Sequence, residues 1–583
     1  MVRTNESVAV LLAEMAVLTE LAEGSPQAFR VRAYQNAARA VRGMTDDVAG
    51  MSASALAGVQ GVGRSTAANI REFVDDGRIT KLDSLRAAHP PGHSALLRLD
   101  GVGAKSVQAF VAAGIEDLDA LRVAIADGSV AQLEGMGAKT IENLVGALER
   151  AGDGSRTPIA TAYAVAQRFR EALAALPQVQ RIEVAGSLRR YREDIGDVDL
   201  LVASTDAAPI MAAFREHPSV ASVIVSGETK SSVRTVDGLQ LDLRVVEPDR
   251  FGAALVYFTG SKAHNIQLRQ RALARGLTLN EYGLAPSQTA GDGNAQSDDR
   301  VAGATEQDVY AALDLAWVTP ELREGVGEVE QAAVGALPTR VTPDDLTGDL
   351  HHHTDRSGDG RQPLEHVAQL AVERGRSWLA ITDHAEDLTI NGLSRAAMLD
   401  QRRALRALEA ERGDLRLLHG VELNIGVDGD LDYDAAFRLR FDICIASIHS
   451  AFRRSADEQT ARLVRAIRDP AVTVIGHLTG RKLGHRSGID LDIEAVCDAL
   501  LAHGVALELN GALARLDAPV ELARVALARG VLFAVSTDAH HPDDLENEAH
   551  GCAWARRAGI PPERIVTTWP YEKLIEWVAD QRA

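Results

Sequence analysis

Two aspartates one residue apart, Asp197 and Asp199, stand where Gly186-Ser187-Leu188-Arg189-Arg190 gives way to apolar Leu200-Leu201-Val202. If this run is a strand, alternation points both carboxylates to the same side. Carboxylates so placed repel unless a cation sits between them. Hard divalent ions such as Mg²⁺ take oxygen ligands and bring phosphates with them. Upstream, Gly186 and Ser187 offer a tight turn with backbone amide donors. Arg189 and Arg190 offer guanidinium forks suited to phosphate. Further on, Leu239, Leu241, Leu243 and Val245 share one face of an alternating run, and Gln240, Asp242 and Arg244 share the other. A neighbouring strand can thus present Asp242 beside Asp197 and Asp199. Three such acids suit a two-ion site for phosphoryl or nucleotidyl transfer, with ions about 3.5–4 Å apart. The ordinary alternative for a lone Asp-x-Asp pair is a solvated strand edge.

A second set of chemistry-bearing residues lies downstream, where short apolar runs alternate with helical stretches. Gly348-Asp349-Leu350 leads to His351-His352-His353, and Trp378 to Thr382 leads to Asp383-His384. Leu417 to Val421 leads to Glu422, Ile443 to Ile448 to His449, and Val472 to Gly476 to His477. Val505 to Leu509 leads to Asn510, and Val531 to Thr537 to Asp538-Ala539-His540. One histidine on an apolar run is more often a satisfied core residue than a ligand. Repeated placement at strand ends, among carboxylates, is not explained that way. Imidazole with carboxylate suits Zn²⁺, Mn²⁺ or Fe²⁺. The rhythm is that of a βα barrel of about seven units with its chemistry at the C-terminal ends of the strands.

Bulk properties bound the rest. At 583 residues, roughly four domains are expected. With 46% hydrophobic and 25% charged residues, the composition is that of an ordinary soluble protein. Cys444, Cys497 and Cys552 show no C-x-x-C spacing, which argues against a disulfide framework or a thiolate zinc site and fits a reducing cytosol. The first residues lack a signal-peptide pattern, and no apolar run is long enough to span a bilayer. The net charge of −20 is unusual for a nucleic-acid binder, so such binding would depend on local basic patches, metals or backbone amides.

The N-terminal region reads as helical. Val8, Leu11, Leu12, Met15, Leu18 and Leu21 follow helical spacing, and a second helical run spans Ala33 to Val41. Three copies of one device follow: Gly61-Val62-Gly63, Gly101-Val102-Gly103 and Gly135-Met136-Gly137 each precede a helical run. Glycines there expose successive amides at a helix N-terminus, where phosphate can dock. Lys105 and Lys139 add cations. The plain alternative is Gly-capped helix turns. After the Asp-bearing segments, Lys262, His264, Arg269 and Arg271 share a helical stretch that could edge a nucleotide or template. Residues 285–305 read as an irregular loop, and Gly335 to Asp345 as an interdomain linker.

Taken together, Gly186-Ser187, Arg190, Asp197-x-Asp199, Asp242, Tyr257-Phe258-Thr259-Gly260-Ser261 and Asn265 resemble a family X DNA polymerase. The resemblance implies that Asp197 and Asp199 bind both metals, Mg²⁺ or Mn²⁺, and that Asp242 binds the catalytic one and accepts the proton of the primer 3′-hydroxyl. It implies that Gly186, Ser187 and Arg190 contact the triphosphate. Tyr257, Phe258 and Gly260 would line the sugar and Asn265 the base edge, although Tyr257-Phe258 alone would read as core packing. The repeated Gly-x-Gly device resembles the helix-hairpin-helix, implying backbone contacts to DNA from Gly61, Gly63, Gly101, Gly103, Lys105, Gly135, Gly137 and Lys139. Lyase-active relatives carry a Schiff-base lysine after the first hairpin. Asn69 stands there, so no such lyase activity is expected.

The C-terminal pattern resembles the PHP (polymerase and histidinol phosphatase) domain, a phosphoesterase with up to three Mn²⁺, Zn²⁺ or Fe²⁺ ions. The resemblance implies that His351, His353, Glu422 and Asp538 hold one ion, and that Glu422, His449 and His477 hold a second. His384, His540 and an acid after the first motif would hold a third, that acid being Asp359, with Asp355 as the alternative. Arg481 is open between a substrate-phosphate contact and a surface salt bridge. The resulting fold class is multidomain α/β: a helical helix-hairpin-helix region, a nucleotidyltransferase palm and a distorted (βα)7 PHP barrel. The expected domains are an N-terminal DNA-binding domain (1–85), helix-hairpin-helix fingers (86–155), palm (156–260), thumb (261–330), linker (331–347) and PHP phosphoesterase (348–583). The resemblance implies a cytoplasmic, nucleoid-associated monomer that uses dNTPs to fill short gaps in nicked or gapped double-stranded DNA. A 3′→5′ exonuclease, and with it abasic-site cleavage, would reside in the PHP half. The rival readings are a small-molecule phosphatase with a relic polymerase half and a DNA-end-binding scaffold with both sites silent.

Overall fold

The computed structural model describes residues 5–582, apart from 26–27, 43, 45–47, 60, 98, 100–101, 134–135, 138–139, 142–143, 146–147, 149–155, 237, 288–299 and 389–390. The chain forms two compact units, one of residues 1–155 with the short segment Gly325–Gly327, the other of the remainder. Among the described residues no helix is long and apolar enough to cross a membrane.

The first unit is helical. Helix Asn5–Glu23 packs on helix Phe29–Arg42. The second of these begins four residues before the Ala33 start read from periodicity. Val31 lies one helical turn before Tyr34 and is buried with Ala38 and Val41, so the same face continues N-terminally. At the first two hairpins Gly63 and Gly103 precede helices Arg64–Asp76 and Ala104–Ala112 in extended conformation. Val62, Val102 and Met136, the apolar residue of each device, are buried, while Gly61, Gly63, Gly103, Lys105 and Gly137 lie on the surface. Gly101, Gly135 and Lys139 fall outside the described residues.

The second unit opens with a five-stranded sheet of β1 (Arg181–Val184), β2 (Asp197–Ala203), β3 (Val220–Ser226), β4 (Lys230–Thr235) and β5 (Gln240–Val246), in the order β1-β2-β5-β4-β3. Only β2 and β5 run parallel to each other. Alternation sorts the two faces. Val198, Leu200, Val202, Leu241, Leu243 and Val245 join the core with helices Ile159–Ala174 and Ala208–Arg215. Leu201 and Ala203 pack on helix Phe251–Thr259 instead, so Asp197, Asp199 and Asp242 lie on that second face.

Beyond it, helix Lys262–Leu273, the hairpin Leu277–Asn280 with Gly283–Pro286, and helix Glu306–Ala311 enclose a small core of Val256, Leu268, Leu284 and Tyr310. Part of the stretch read as irregular is therefore paired: Leu284 bridges Ala302. The stretch read as a linker is also packed. Val341 and Leu346 are buried, and the Val341 carbonyl accepts from Arg556 at 2.8 Å.

The barrel strands are β6 (Gly348–Asp349), β7 (Trp378–Ile381), β8 (Arg416–Asn424), β9 (Ile443–Ser447), β10 (Val474–Ile475), β11 (Ala506–Asn510) and β12 (Phe533–Ser536). They are all parallel and lie in chain order, as the sequence rhythm predicts. The ring nearly closes beyond its ends, where Asp538 N–H donates to His351 O and His353 N–H to Ala539 O, each at 3.0 Å. Closure thus occurs on the histidine-bearing segment itself. One apolar cluster, including Ile159, Leu188, Ile195, Leu516 and Trp554, runs from the five-stranded sheet into the barrel.

Candidate metal centres

Asp199 on β2 is the register partner of Asp242 on β5, and Asp197 lies one pleat toward the strand start. Ligand oxygens of all three lie within 4.8 Å of one another. Burial pushes the Asp199 carboxyl up to about 7, and Asp197 and Asp242 reinforce the shift against Arg244 and Arg190. Three carboxylates this close repel one another even with two arginines nearby, and their all-oxygen donor set suits Mg²⁺ or Mn²⁺. Gln240 steadies Asp242 with a 3.0 Å hydrogen bond.

The Gly-Ser-x-Arg-Arg prefix forms a one-turn helix, Gly186–Arg189, directly against this cluster. Gly186 has φ +63°, and a Cβ there would collide with Oδ2 of Asp199, so only glycine lets the turn close on the carboxylate. The two arginines diverge. Arg189, expected to face phosphate, instead pairs with buried Glu306 through both Nη atoms, at 2.8 and 3.0 Å, and donates to Thr259. Arg323 grips the same Glu306, so Arg189 is an internal tie. Arg190 donates to the Thr259 carbonyl and rests against Gly260, which has φ +68°. Ser187, in the same turn, is half-buried, and its carbonyl accepts from Arg192 N–H at 3.1 Å.

Tyr257 and Phe258 are half-buried, with Arg269 over the first ring at 5.1 Å and Arg244 over the second at 4.4 Å. Asn265 Nδ2 donates to Tyr257 O at 2.7 Å, while its Oδ1 is buried without a partner. Tyr257, Asn265 and Arg269 line a small cavity with Asn280. His264 does not edge that cavity: it is fully buried between Glu328 (2.7 Å) and Tyr310 (2.6 Å). Arg271 likewise turns away, capping the carbonyls of Leu313 and Asp314.

In the barrel, side chains from separate strand ends meet around Glu422 on β8. Its Oε1 lies 3.0 Å from His477 Nε2 and 3.2 Å from His449 Nε2. Its Oε2 lies 2.8 Å from His384 Nδ1, 3.5 Å from His351 Nε2 and 3.6 Å from His353 Nε2. Asp538 Oδ1 approaches His353 at 3.4 Å and His351 at 3.5 Å. The Nε2 atoms of His351 and His353 are buried without hydrogen-bond partners. Buried imidazoles at such spacing from carboxylates fit ions held between them.

Three overlapping groups result: His351, His353 and Asp538; His384, Glu422 and His449; and His353, Asp359, His384 and His540. Glu422 also reaches the other members of the two sets that the resemblance implies for it, His351 and His353 through Oε2 and His449 and His477 through Oε1. His384 is shared, meeting Glu422 through Nδ1 and Asp359 through Nε2 at 3.1 Å. Asp359 is the acid brought to the cluster, with Asn391 donating to it at 2.7 Å and His540 3.5 Å away. Asp355 is exposed and begins a short 3-10 turn. Of the two readings of Arg481, the structure shows a salt bridge, made by a buried arginine to a part-exposed Glu193 at 2.9 Å. The arginine is also bonded to the Arg515 and Leu516 carbonyls.

Glu508 on β11 was not singled out from sequence. Its Oε1 lies 2.6 Å from His351 Nδ1, its Oε2 accepts from His477 N–H at 2.5 Å, and it is fully buried. Such a carboxylate fixes the orientation and tautomer of an imidazole whose other nitrogen is offered to an ion. The signal was an acid inside the apolar run Ala506-Leu507-Glu508-Leu509, where burial requires a partner. Asn424 orients His449 in the same way at 2.7 Å.

The architecture is that of a nucleotidyltransferase-type acid cluster joined to a histidine-rich barrel. Residues 254–324 match the DNA polymerase beta thumb, residues 349–512 the PHP domain, and residues 3–79 and 94–150 a helix-hairpin-helix domain and a SAM-like helix-hairpin-helix tandem. The DNA polymerase/3′-5′ exonuclease PolX of Bacillus subtilis is 35% identical over 561 residues, spanning 95% of this chain and 96% of that protein. A probable phosphatase of Vibrio atlanticus is 27% identical over 241 residues, 40% of this chain and 92% of its own length. One of Thermoanaerobacter pseudethanolicus is 28% identical over 247 residues, 41% of this chain and 96% of its own. The chain belongs to the family X DNA polymerases of the bacterial type that carry a C-terminal PHP domain.

Proposed function

We propose that this protein fills short gaps in nicked or gapped double-stranded DNA from dNTPs and trims 3′ ends with its PHP barrel, with abasic-site cleavage as an accompanying activity. The observation that carries the reading is the convergence of Asp197, Asp199 and Asp242 beside the Gly186 turn. Mg²⁺ or Mn²⁺ in the acid cluster, and up to three Mn²⁺, Zn²⁺ or Fe²⁺ in the barrel, would supply Lewis-acid stabilisation of phosphate charge and, in the barrel, an activated water.

The chain's own residues do the rest. Asp197 and Asp199 would hold the ions. Asp242 accepts the proton of the primer 3′-hydroxyl as that oxygen attacks the α-phosphorus and pyrophosphate leaves. The amides of Gly186 and Ser187 and the fork of Arg190 orient the triphosphate. Tyr257, Phe258 and Gly260 bound the sugar, and Asn265, with its unpartnered oxygen, meets the base edge. In the barrel His351, His353, Asp359, His384, Glu422, His449, His477, Asp538 and His540 would be the ligands. The hairpin glycines and lysines grip the DNA backbone. The protein acts as a monomer in the cytoplasm, on the nucleoid.

The test is incubation with labelled one-nucleotide-gapped DNA, with Mg²⁺ or Mn²⁺ and with or without dNTPs. Extension by one nucleotide, dependent on dNTP, is expected. Its absence under every metal condition would overturn the polymerase reading. The match of the barrel alone to probable phosphatases favours a second reading for that half, phosphomonoester hydrolysis. Release of inorganic phosphate from small phosphomonoesters, with no shortening of DNA, would establish it instead.

A further inference from the structure

The segment from Gly186 to Glu193 is held from outside by the barrel. Arg557, on helix Asn547–Ala558, donates through Nη1 to the carbonyl of Arg190 at 2.8 Å and to Oε1 of Glu324 at 2.9 Å. The same Glu324 oxygen lies 3.4 Å from Nε of Arg190. The next residue, Tyr191, has a left-handed φ of 54°, and its hydroxyl lies 2.9 Å from Nδ1 of His550. Two residues on, Glu193 takes the ion pair with Arg481. Arg557, His550 and Arg481 are all buried, and none belongs to the barrel's metal-type clusters among the described residues.

A buried guanidinium is costly unless charge and hydrogen bonds compensate it. Glu324 alone would neutralise Arg557. Arg557 also bonds the backbone of the residue whose side chain is assigned to the triphosphate. Moreover, Arg190 and Arg557 draw on one carboxylate. With Arg557 gone, Glu324 would keep Arg190 as its main partner and draw the Arg190 fork toward itself. The Arg190 carbonyl would also lose its donor and the turn its anchor.

We propose that Arg557 is a positioning residue for nucleotidyl transfer, supplied by the barrel: by holding Glu324 and the Arg190 carbonyl it sets the Arg190 guanidinium to meet the triphosphate. This rests on the reading of Arg190 given above. The barrel therefore serves the polymerase centre through packing, independently of its own metals.

The experiment uses the full chain with Arg557→Ala, Arg557→Gln, Arg557→Lys and Arg190→Ala. Gap filling yields kcat and KM for dNTP, and exonuclease activity and gapped-DNA affinity are read on the same preparations. Arg557→Ala is expected to raise the dNTP KM about tenfold, the scale of one charge-assisted hydrogen bond. Exonuclease activity and DNA affinity should not change, and Arg557→Lys should recover part of the loss. Should Arg557→Ala fail to fold, Arg557→Gln, which removes the charge that holds Glu324 while keeping most of the buried volume, carries the same expectation. An unchanged dNTP KM, or a parallel fall of both activities, would make Arg557 a mere interface residue and overturn the proposal. An unchanged dNTP KM in Arg190→Ala would sink the triphosphate reading itself, so the two failures are told apart.

Discussion

Asp199 and Asp242 face each other as register partners on adjacent parallel strands, with the Gly186 turn closed against the first of them. Their repulsion is internal to the metal-free protein. Asp242→Asn should therefore raise the melting temperature of the chelated protein and reduce the further rise that Mn²⁺ brings. It should also cut gap filling at least about 100-fold, the usual scale of a general base, while the exonuclease persists. Thermal melts with and without Mn²⁺, beside both activity assays, check this. Loss of both activities together would contradict separate centres.

Glu508 stands behind His351, buried and bonded to its Nδ1. Glu508→Gln keeps the shape but weakens the hold on His351 Nδ1. Metal affinity is expected to drop about 10–100-fold, the range for outer ligand partners. Metal content after dialysis against buffered Mn²⁺ or Zn²⁺ reads this directly. Gap filling should not change.

Asp359 and Asp355 are separated by one short turn yet differ in surroundings. Asp359→Ala should lower metal content and exonuclease activity, since His384 and His540 both lose their facing carboxylate. Asp355→Ala, at an exposed position, should change stability by no more than about 0.5 kcal/mol. Equal effects of the two variants on metal content would reassign the ligand.

The contact between sheet and barrel should weaken in acid. Burial holds His550 down to about 4 against an ordinary 6.5. Between those values the unfolded chain binds a proton that the folded one refuses. Stability is thus full above pH 6.5 and is lost as pH falls through the window, by about 3 kcal/mol at most from this residue. Denaturant unfolding at pH 7 and pH 5 should show a smaller drop in His550→Gln than in the parent. Identical drops would remove His550 from the account.

Much of the site was legible because it is local. The alternation of Leu239 to Val245 announced which face Asp242 would take, and the same period-two logic paired Asp197 with Asp199. Hidden features turned on partners far away in the chain. Arg189 and Arg190 read alike as phosphate forks, but the helical turn sends them apart and Glu306, over a hundred residues on, captures one. Arg481 is drawn inward by Glu193 and the Arg515 and Leu516 carbonyls. His264 read as part of an edge for nucleotide or template, but Tyr310 and Glu328 enclose it.

The sequence by itself determined the kinds of ligand, their placement at strand ends, the βα rhythm and the glycine turns, because each is set by neighbours a few residues apart. Only the tertiary structure decided which histidine shares which carboxylate, that Asp359 rather than Asp355 joins them, that Glu508 stands behind His351, and that the barrel holds the Arg190 turn. Those choices follow from closing a seven-stranded ring and seating it on a sheet, which brings together side chains that no local periodicity relates.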